Sequence, residues 1–324
     1  MPGNNLSRRR FLNLLGRLVP ATLLWSAAHA DVKQTATPNA PAASDKAKPT
    51  IGIALGAGGA NGLAHILMLE VLDEMGVKPQ CIAGSSIGAI IGALYAAGMS
   101  GKQIRELVEQ FIISPDEPLL EKLVSKDALR WVEFIEIDLG SGGILNSEGF
   151  IAFLYDTLKP RTFEQLQIPL KVVAADLWRR EQVVLQSGEL LPAIKASMAL
   201  PGVFQPVVRN KRVLVDGGTV NPVPYDLLMG ECDLVIGIDV SGERTPPKEP
   251  APDYFATVFN SAKVMQQAIM SEKLSHQTPA IYIKPRIIDI RALEFYRAEE
   301  VFAQAAPARQ ELKQRLTKLL AVVE

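Results

Sequence analysis

The chain has 324 residues, 48% of them hydrophobic and 21% charged, with 34 Lys plus Arg against 35 Asp plus Glu. That length permits one large domain or two ordinary ones with ample core, and the even charge balance excludes the basic field of a nucleic-acid binder. Two cysteines, with no CxxC or Cys/His cluster, point to neither a metal centre nor a disulfide scaffold.

Ser7-Arg8-Arg9-Arg10-Phe11-Leu12 precedes a short apolar run that ends Ala28-His29-Ala30. A basic start, an apolar stretch and an A-x-A site predict a cleavable export signal over 1–30. The paired arginines resemble a twin-arginine signal, which implies a periplasmic destination. Between Arg17 and His29 lie 11 residues, too few to span a bilayer; retention as an inner-membrane anchor is the alternative. Without the four arginines of that segment, 30 cationic side chains (34 less 4) face 35 acidic ones. Attraction to an anionic surface would then have to be local. Residues 31–49, rich in Ala, Pro, Thr and Lys, read as a disordered linker.

Thr50 to Leu55 has the continuous apolar pattern of a buried strand and runs into Gly56-Ala57-Gly58-Gly59-Ala60-Asn61-Gly62, then a helix from Leu63 to Met75. A glycine-rich turn between strand and helix gathers backbone N–H groups at one point, which suits an anion. A phosphate-binding P-loop requires Gly-Lys-Ser/Thr, but Leu63 follows Gly62. A dinucleotide fingerprint wants glycine or alanine where Asn61 stands. The third anion is the oxyanion of a tetrahedral acyl intermediate, and it alone relates this loop to a serine turn about 25 residues downstream.

That second strand-to-helix turn, Ala83-Gly84-Ser85-Ser86-Ile87-Gly88-Ala89, is a G-x-S-x-G sequence. A serine at so sharp a turn needs glycine two residues before and after, here Gly84 and Gly88, and faces the N–H groups of the helix it opens. Residues 100–138 read as helix and loop with amphipathic pieces at 104–111 and 119–132. Phe111, Ile112, Trp131 and Phe134 there either cover the sheet or line the entrance for an apolar substrate. Next comes a glycine loop at 140–143, and Ser147 is placed to cap a helix through Leu158.

Lys171 to Asp176 reads as a strand with Gln182 to Leu185 as its hairpin partner. Beyond it come a helix from Leu191 ended by Pro201-Gly202, and a hairpin over 207–215 turning at Asn210-Lys211. The hairpin delivers Asp216 into Gly217-Gly218, an exposed carboxylate at a crowded turn. A buried strand over 233–240, a Pro-rich loop, a helix from Tyr254 to Leu274, a strand at 280–283 and a C-terminal helix over 295–323 complete the pattern. Cys81 and Cys232 each adjoin an apolar strand-like run, which predicts two buried free thiols.

A serine hydroxyl needs a base. Past the leader the chain holds two histidines. His65 lies one turn into the helix after the glycine loop, as a packed histidine would. His276 follows Asp216, so the order Ser, Asp, His would suit a triad, yet no glycine turn positions it. Asp216 remains as the base, which requires a desolvated carboxylate within reach of Ser86.

The glycine loop, the Ser86 turn, Ala196-Ser197-Met198-Ala199-Leu200-Pro201-Gly202 and Asp216-Gly217-Gly218 with Asn221-Pro222-Val223-Pro224 occur in the order in which they resemble the patatin-like phospholipase family, bacterial members of the neuropathy-target-esterase type above all. The resemblance implies an α/β fold, a three-layer α/β/α sandwich with a mostly parallel sheet, over 50–240, completed by 241–324. It implies a Ser86–Asp216 dyad, an oxyanion hole from the N–H groups of Gly58, Gly59 and Ile87, and a lipid ester substrate with peripheral membrane contact, no cofactor and no metal. One departure stands out: Ala57-Gly58-Gly59-Ala60-Asn61-Gly62 carries asparagine where the family has a basic residue. That feeds the alternative of a non-catalytic lipid- or partner-binding protein on the same fold.

Overall fold

The structure, a computed structural model, describes residues 49–111, 136–137, 145–146, 148–246 and 254–323. The leader, the linker, the apolar stretch 112–135, the glycine loop at 140–143 and the cap at Ser147 lie outside these residues.

In chain order, β1 (Ile51–Leu55) leads through a 3-10 turn at Gly59–Leu63 into α1 (Ala64–Glu74). β2 (Cys81–Ser85) passes directly into α2 (Ile87–Ala96), followed by α3 (Gly101–Phe111). A short pair, β3 (Glu136–Ile137) and β4 (Leu145–Asn146), precedes α4 (Glu148–Thr157). After it come β5 (Leu170–Asp176), β6 (Glu181–Leu185), α5 (Leu190–Ser197), β7 (Val207–Arg209) and β8 (Arg212–Asp216). The chain closes with β9 (Leu234–Ile238), α6 (Tyr254–His276), β10 (Ile281–Ile283) and α7 (Ala298–Val323).

β10, β9, β1, β2 and β5 lie side by side in that order, all parallel. Parallel strands are covered on both faces, which is why β1 and β2 read as unbroken apolar runs and are buried at every residue. Ile53, Leu55 and Ile82 point into a large core with α1, α2 and α7, whereas Ala54, Ala83 and Val235 face the opposite way onto Val223, Tyr225 and Met270 of α6. The result is a three-layer α/β/α sandwich. α2, built from Ile, Ala, Gly, Leu and Tyr, is buried all round because sheet and helices enclose it. Residues beyond 240 belong to this unit: β10 extends the sheet and α7 packs on α1, where Lys313 pairs with Glu74 at 3.1 Å.

The pairing around β5 decides where the candidate site forms. β2 pairs with residues 170–173 of β5, while β8 runs antiparallel along 174–176 and β6 along 172–176. A strand has two edges, so β2 and β8 must share one of them and β6 takes the other. On the shared edge Ser85 lies opposite Val173 and Asp216 opposite Ala174. Two strands therefore meet head-on at neighbouring rungs, and each must leave the sheet there.

Two boundaries differ from the sequence reading. The helix expected to end at Pro201 stops at Ser197, because Leu200, preceding proline, is kept out of the helical region and the Ala199 carbonyl accepts the N–H of Asp216 at 2.9 Å. The helix after the glycine loop is prefaced by the turn at Gly59–Leu63, so helical winding begins inside the loop.

Candidate active site

Where β2 leaves the sheet, Ser86 has φ 55° and ψ −124°, a backbone conformation that a side chain disfavours and that only a surrounding scaffold maintains. The flanking glycines have no latitude: a Cβ on Gly84 would lie 2.5 Å from the Gly88 carbonyl oxygen, and one on Gly88 would lie 2.0 Å from that of Leu55. Where β8 leaves, Gly217 is fixed in the same way, since its Cβ would meet the Val173 carbonyl oxygen at 2.2 Å.

The meeting of the two strands brings Ser86 Oγ within 2.5 Å of Asp216 Oδ2, to which it donates a hydrogen bond. Asp216 is 3% exposed, so the carboxylate expected to be exposed at this turn is instead buried, because the glycine loop and Gln266 of α6 close over the Gly217–Gly218 turn. Its other oxygen, Oδ1, accepts the Gly218 N–H at 2.7 Å. Burial pushes the carboxyl up from 3.8 to about 6, against the opposing pull of the Ser86 and Gly218 hydrogen bonds and the Lys263 ammonium.

Ser197 at the end of α5 ties the elbow down. Its hydroxyl donates to the Val173 carbonyl at 2.5 Å and accepts the N–H of Ser86 at 2.9 Å. The nucleophile candidate's own N–H is thus occupied. Ser85, the other hydroxyl of the turn, is buried and donates to the Asn221 carbonyl at 2.6 Å, pointing away from Asp216.

The glycine loop rests on both halves of this pair. A Cβ on Gly218 would fall 2.7 Å from Ala57 Cβ, and one on Gly62 would fall 2.3 Å from Ile87 Cγ2. Gly58 and Gly59 lie between those contacts in the chain. Gly56, Ala57 and Ala60 direct their N–H groups to the carbonyls of Ile238, Pro222 and Ala292. Among the described residues the N–H groups of Gly58, Gly59 and Ile87 have no acceptor. Gly58 packs so closely on Val240 that a Cβ would lie 2.3 Å from its carbonyl oxygen, and Gly59 has φ 61°. Asn61 is 5% exposed and turned into the protein, with its amide nitrogen 2.2 Å from where a Cβ on Gly242 would be.

Neither histidine joins Ser86. His65 is fully buried, its Nε2 2.9 Å from the Gly56 carbonyl oxygen, and burial lowers it to about 4, so it is neutral. His276 is exposed at the end of α6, with contacts to Ser275 and Glu272 of its own helix. Cys81 and Cys232 are free buried thiols, and burial pushes Cys81 up to about 12. Among the described residues no cluster of three or more His, Cys, Asp or Glu could hold a metal.

Two contributions from α6 were not visible in the sequence. Gln266 Nε2 donates to the Gly218 carbonyl at 3.0 Å, which seats the helix on the Asp216 turn. Lys263, one turn earlier, is half-buried and interacts electrostatically with Asp216 and Asp239; burial lowers it. Apolar and polar residues are mixed along this helix without a clear stripe, and nothing in its sequence marks the face that meets the site. A Lys-x-x-Gln pair flanked by apolar residues was the sole available sign.

The site thus joins a serine on a strained strand-to-helix elbow directly to a buried aspartate, with neither histidine beside it, on a three-layer sheet. The chain belongs to the patatin-like phospholipase family, whose sequence profile matches residues 53–229. It is 35% identical over 214 residues to an uncharacterised NTE family protein of Mycobacterium tuberculosis, covering 65% of this chain and 55% of that one. It is 31% identical over 278 residues to patatin-like phospholipase domain-containing protein 7 of Rattus norvegicus, covering 78% of this chain and 20% of the relative. To the lysophospholipase NTE1 of Kluyveromyces lactis it is 23% identical over 275 residues, covering 78% and 18%. The chain thus spans about half the length of that mycobacterial relative and about a fifth of the two longer ones. Among solved structures, VipD from Legionella pneumophila aligns over 82% of this chain and 67% of its own at 17% identity and a TM-score of 0.42.

Proposed function

We propose that the protein is a serine hydrolase of lipid carboxylic esters, of the phospholipase A or lysophospholipase kind, with Ser86 as nucleophile and Asp216 as its base. The observation that carries this reading is the 2.5 Å hydrogen bond from Ser86 Oγ to a buried carboxylate. Ser86 Oγ attacks the ester carbonyl carbon while its proton passes to Asp216. The tetrahedral oxyanion is held by the N–H groups of Gly58, Gly59 and Ile87, which have no backbone acceptor among the described residues. Collapse breaks the bond to the alcohol, which takes the proton from Asp216. Water then gives a proton to the same carboxylate and attacks the acyl-serine; collapse releases the fatty acid as Ser86 Oγ takes that proton back from Asp216.

Burial suits Asp216 to the task, since a carboxyl near 6 is ionised at neutral pH yet basic enough to accept a proton in the transition state. The kinship with a protein named as a lysophospholipase supports the substrate class. We further propose that the leader exports the chain to the periplasm. The test of the chemistry is hydrolysis of a p-nitrophenyl ester and of a lysophospholipid by the parent, Ser86→Ala and Asp216→Ala, with fluorophosphonate labelling alongside. Turnover by the parent alone, with a label on Ser86, supports the dyad. A parent that cleaves neither ester and takes no label is a binding protein on this fold, and the proposal fails.

A further inference from the structure

The turn that leaves β5 is fixed from within. Asp176, 2% exposed, accepts the N–H groups of Trp178 and Arg179 at 3.1 and 3.0 Å on Oδ1. The Leu177 N–H donates to the Val213 carbonyl at 2.9 Å, which fastens the turn beside β8. This framework holds Trp178 out of the protein at 76% exposure, with Leu177 at 40% beside it. Val213 pairs in turn with Val208 on β7, which is 74% exposed. One corner of the sheet therefore presents an indole and two aliphatic side chains on rigid backbone, where interior packing has no use for them.

Their surroundings are cationic. Segments 176–181 and 207–212 carry Arg179, Arg180, Arg209, Lys211 and Arg212 against Asp176 and Glu181, in a chain whose net charge is −1. Among the described residues Arg180 and Lys211 make no ion pair, whereas Arg212 and Arg179 are engaged with Glu181 and Asp176. A tryptophan that keeps one end apolar and one wet, on segments that carry two cations, Arg180 and Lys211, without an ion pair among the described residues, matches the boundary between lipid acyl chains and anionic headgroups. The corner is also next to the chemistry. β8 runs from it to Asp216, and Trp178 is four residues past Ala174, the partner of Asp216, so the chain between them spans no more than about 14 Å.

We propose that the corner formed by Leu177, Trp178 and Val208, with Arg180 and Lys211, is the surface by which the protein docks on an anionic lipid bilayer and draws its ester substrate from it. The proposal rests on the lipid-ester reading for the substrate, but docking itself requires no catalysis. Trp178 inserts at the level of the headgroups, and the two cations engage lipid phosphates.

The test uses the full-length chain carrying Ser86→Ala, so that vesicles stay intact, with Trp25→Phe and Trp131→Phe leaving Trp178 as the single emitter. Vesicles of phosphatidylcholine with about one third phosphatidylglycerol should shift its emission to the blue, and brominated acyl chains should quench it. Arg180→Ala with Lys211→Ala, or 0.5 M salt, should weaken the apparent affinity at least tenfold. Emission unchanged at saturating lipid, or a shift of equal size in the charge variant, overturns the proposal, as does a Trp178 covered by a protein partner with no response to vesicles. Hydrolysis of p-nitrophenyl butyrate by the Ser86 chain separates the two readings. Soluble-ester turnover without docking refutes the surface alone, and docking without turnover refutes the hydrolase alone. Trp178→Ala in the Ser86 chain should leave the soluble ester unaffected and lower turnover of vesicle lipid about tenfold.

Discussion

Replacing Asp216 by asparagine should make the protein more stable while removing its activity. The carboxylate is held near 6 in the fold and near 3.8 in an open chain, chiefly by burial. That displacement corresponds to about 3 kcal/mol by which the ionised side chain disfavours folding. The penalty is absent below pH 3.8, where both states are protonated, grows as pH rises toward 6, and is constant above about pH 7. Asparagine is isosteric, can still accept the Gly218 N–H on Oδ1, and can donate to Ser86 Oγ, so the packing is kept. With a melting entropy of about 0.6 kcal/mol/K for a unit of this size, running from Ala47 to Glu324, the variant should melt about 5 °C higher at pH 8. The advantage should shrink toward zero as the pH is lowered to 4. Calorimetric or fluorescence melts of both proteins from pH 4 to 8 would measure it, beside ester turnover expected to fall at least a thousandfold. A variant that is less stable at pH 8, or whose advantage does not change with pH, would refute the claim that Asp216 is a desolvated carboxylate held for chemistry.

The site carries three further expectations. On a soluble ester, kcat/KM should rise with pH through a single ionisation near 6, because Asp216 must be unprotonated to accept the serine proton. Lys263→Met should move that limb to higher pH by removing the cation that favours the carboxylate, and Lys263→Arg should restore it. Ser197→Ala leaves the Ser86 N–H and the Val173 carbonyl without their partner; it should cost about 2 to 3 kcal/mol in urea denaturation and slow fluorophosphonate labelling at least tenfold, and parent-like labelling would show that the elbow holds itself. His276→Ala should be indistinguishable from the parent in turnover and melting, since the ring is exposed and bonded within its own helix; a large loss would restore the Ser-Asp-His triad.

The sequence was most readable where backbone geometry dictates residue type. Gly84, Gly88 and Gly217 each stand where a Cβ would meet a carbonyl oxygen within 2.5 Å, so the turns announce themselves by composition. The parallel strands announce themselves by unbroken apolar runs for the same sort of reason. Interactions between distant segments left no such trace. Ser197 looks like any serine at the end of a helix, and its link to Ser86 spans 111 positions. Lys263 and Gln266 lie on a helix of mixed apolar and polar residues whose inward face is decided by what it packs against. The end of α5 was misplaced by three residues for a related reason: Pro201 sets a limit, but the hydrogen bond from Asp216 to Ala199 sets the actual stop.

The shared edge of β5 has a consequence for how the protein becomes active. Ser86 and Asp216 are separated by 130 positions and acquire their spacing only when β2 and β8 have both docked, one after Val173 and one at Ala174. Pairings of such long reach form late and slowly relative to local helices. On the chemistry proposed above, Ser86 would be silent in a partly assembled chain, and its awakening would mark the closing of the sheet. A fluorophosphonate pulse during refolding would work as a stopwatch, dating the moment at which the two halves of the molecule find the same strand.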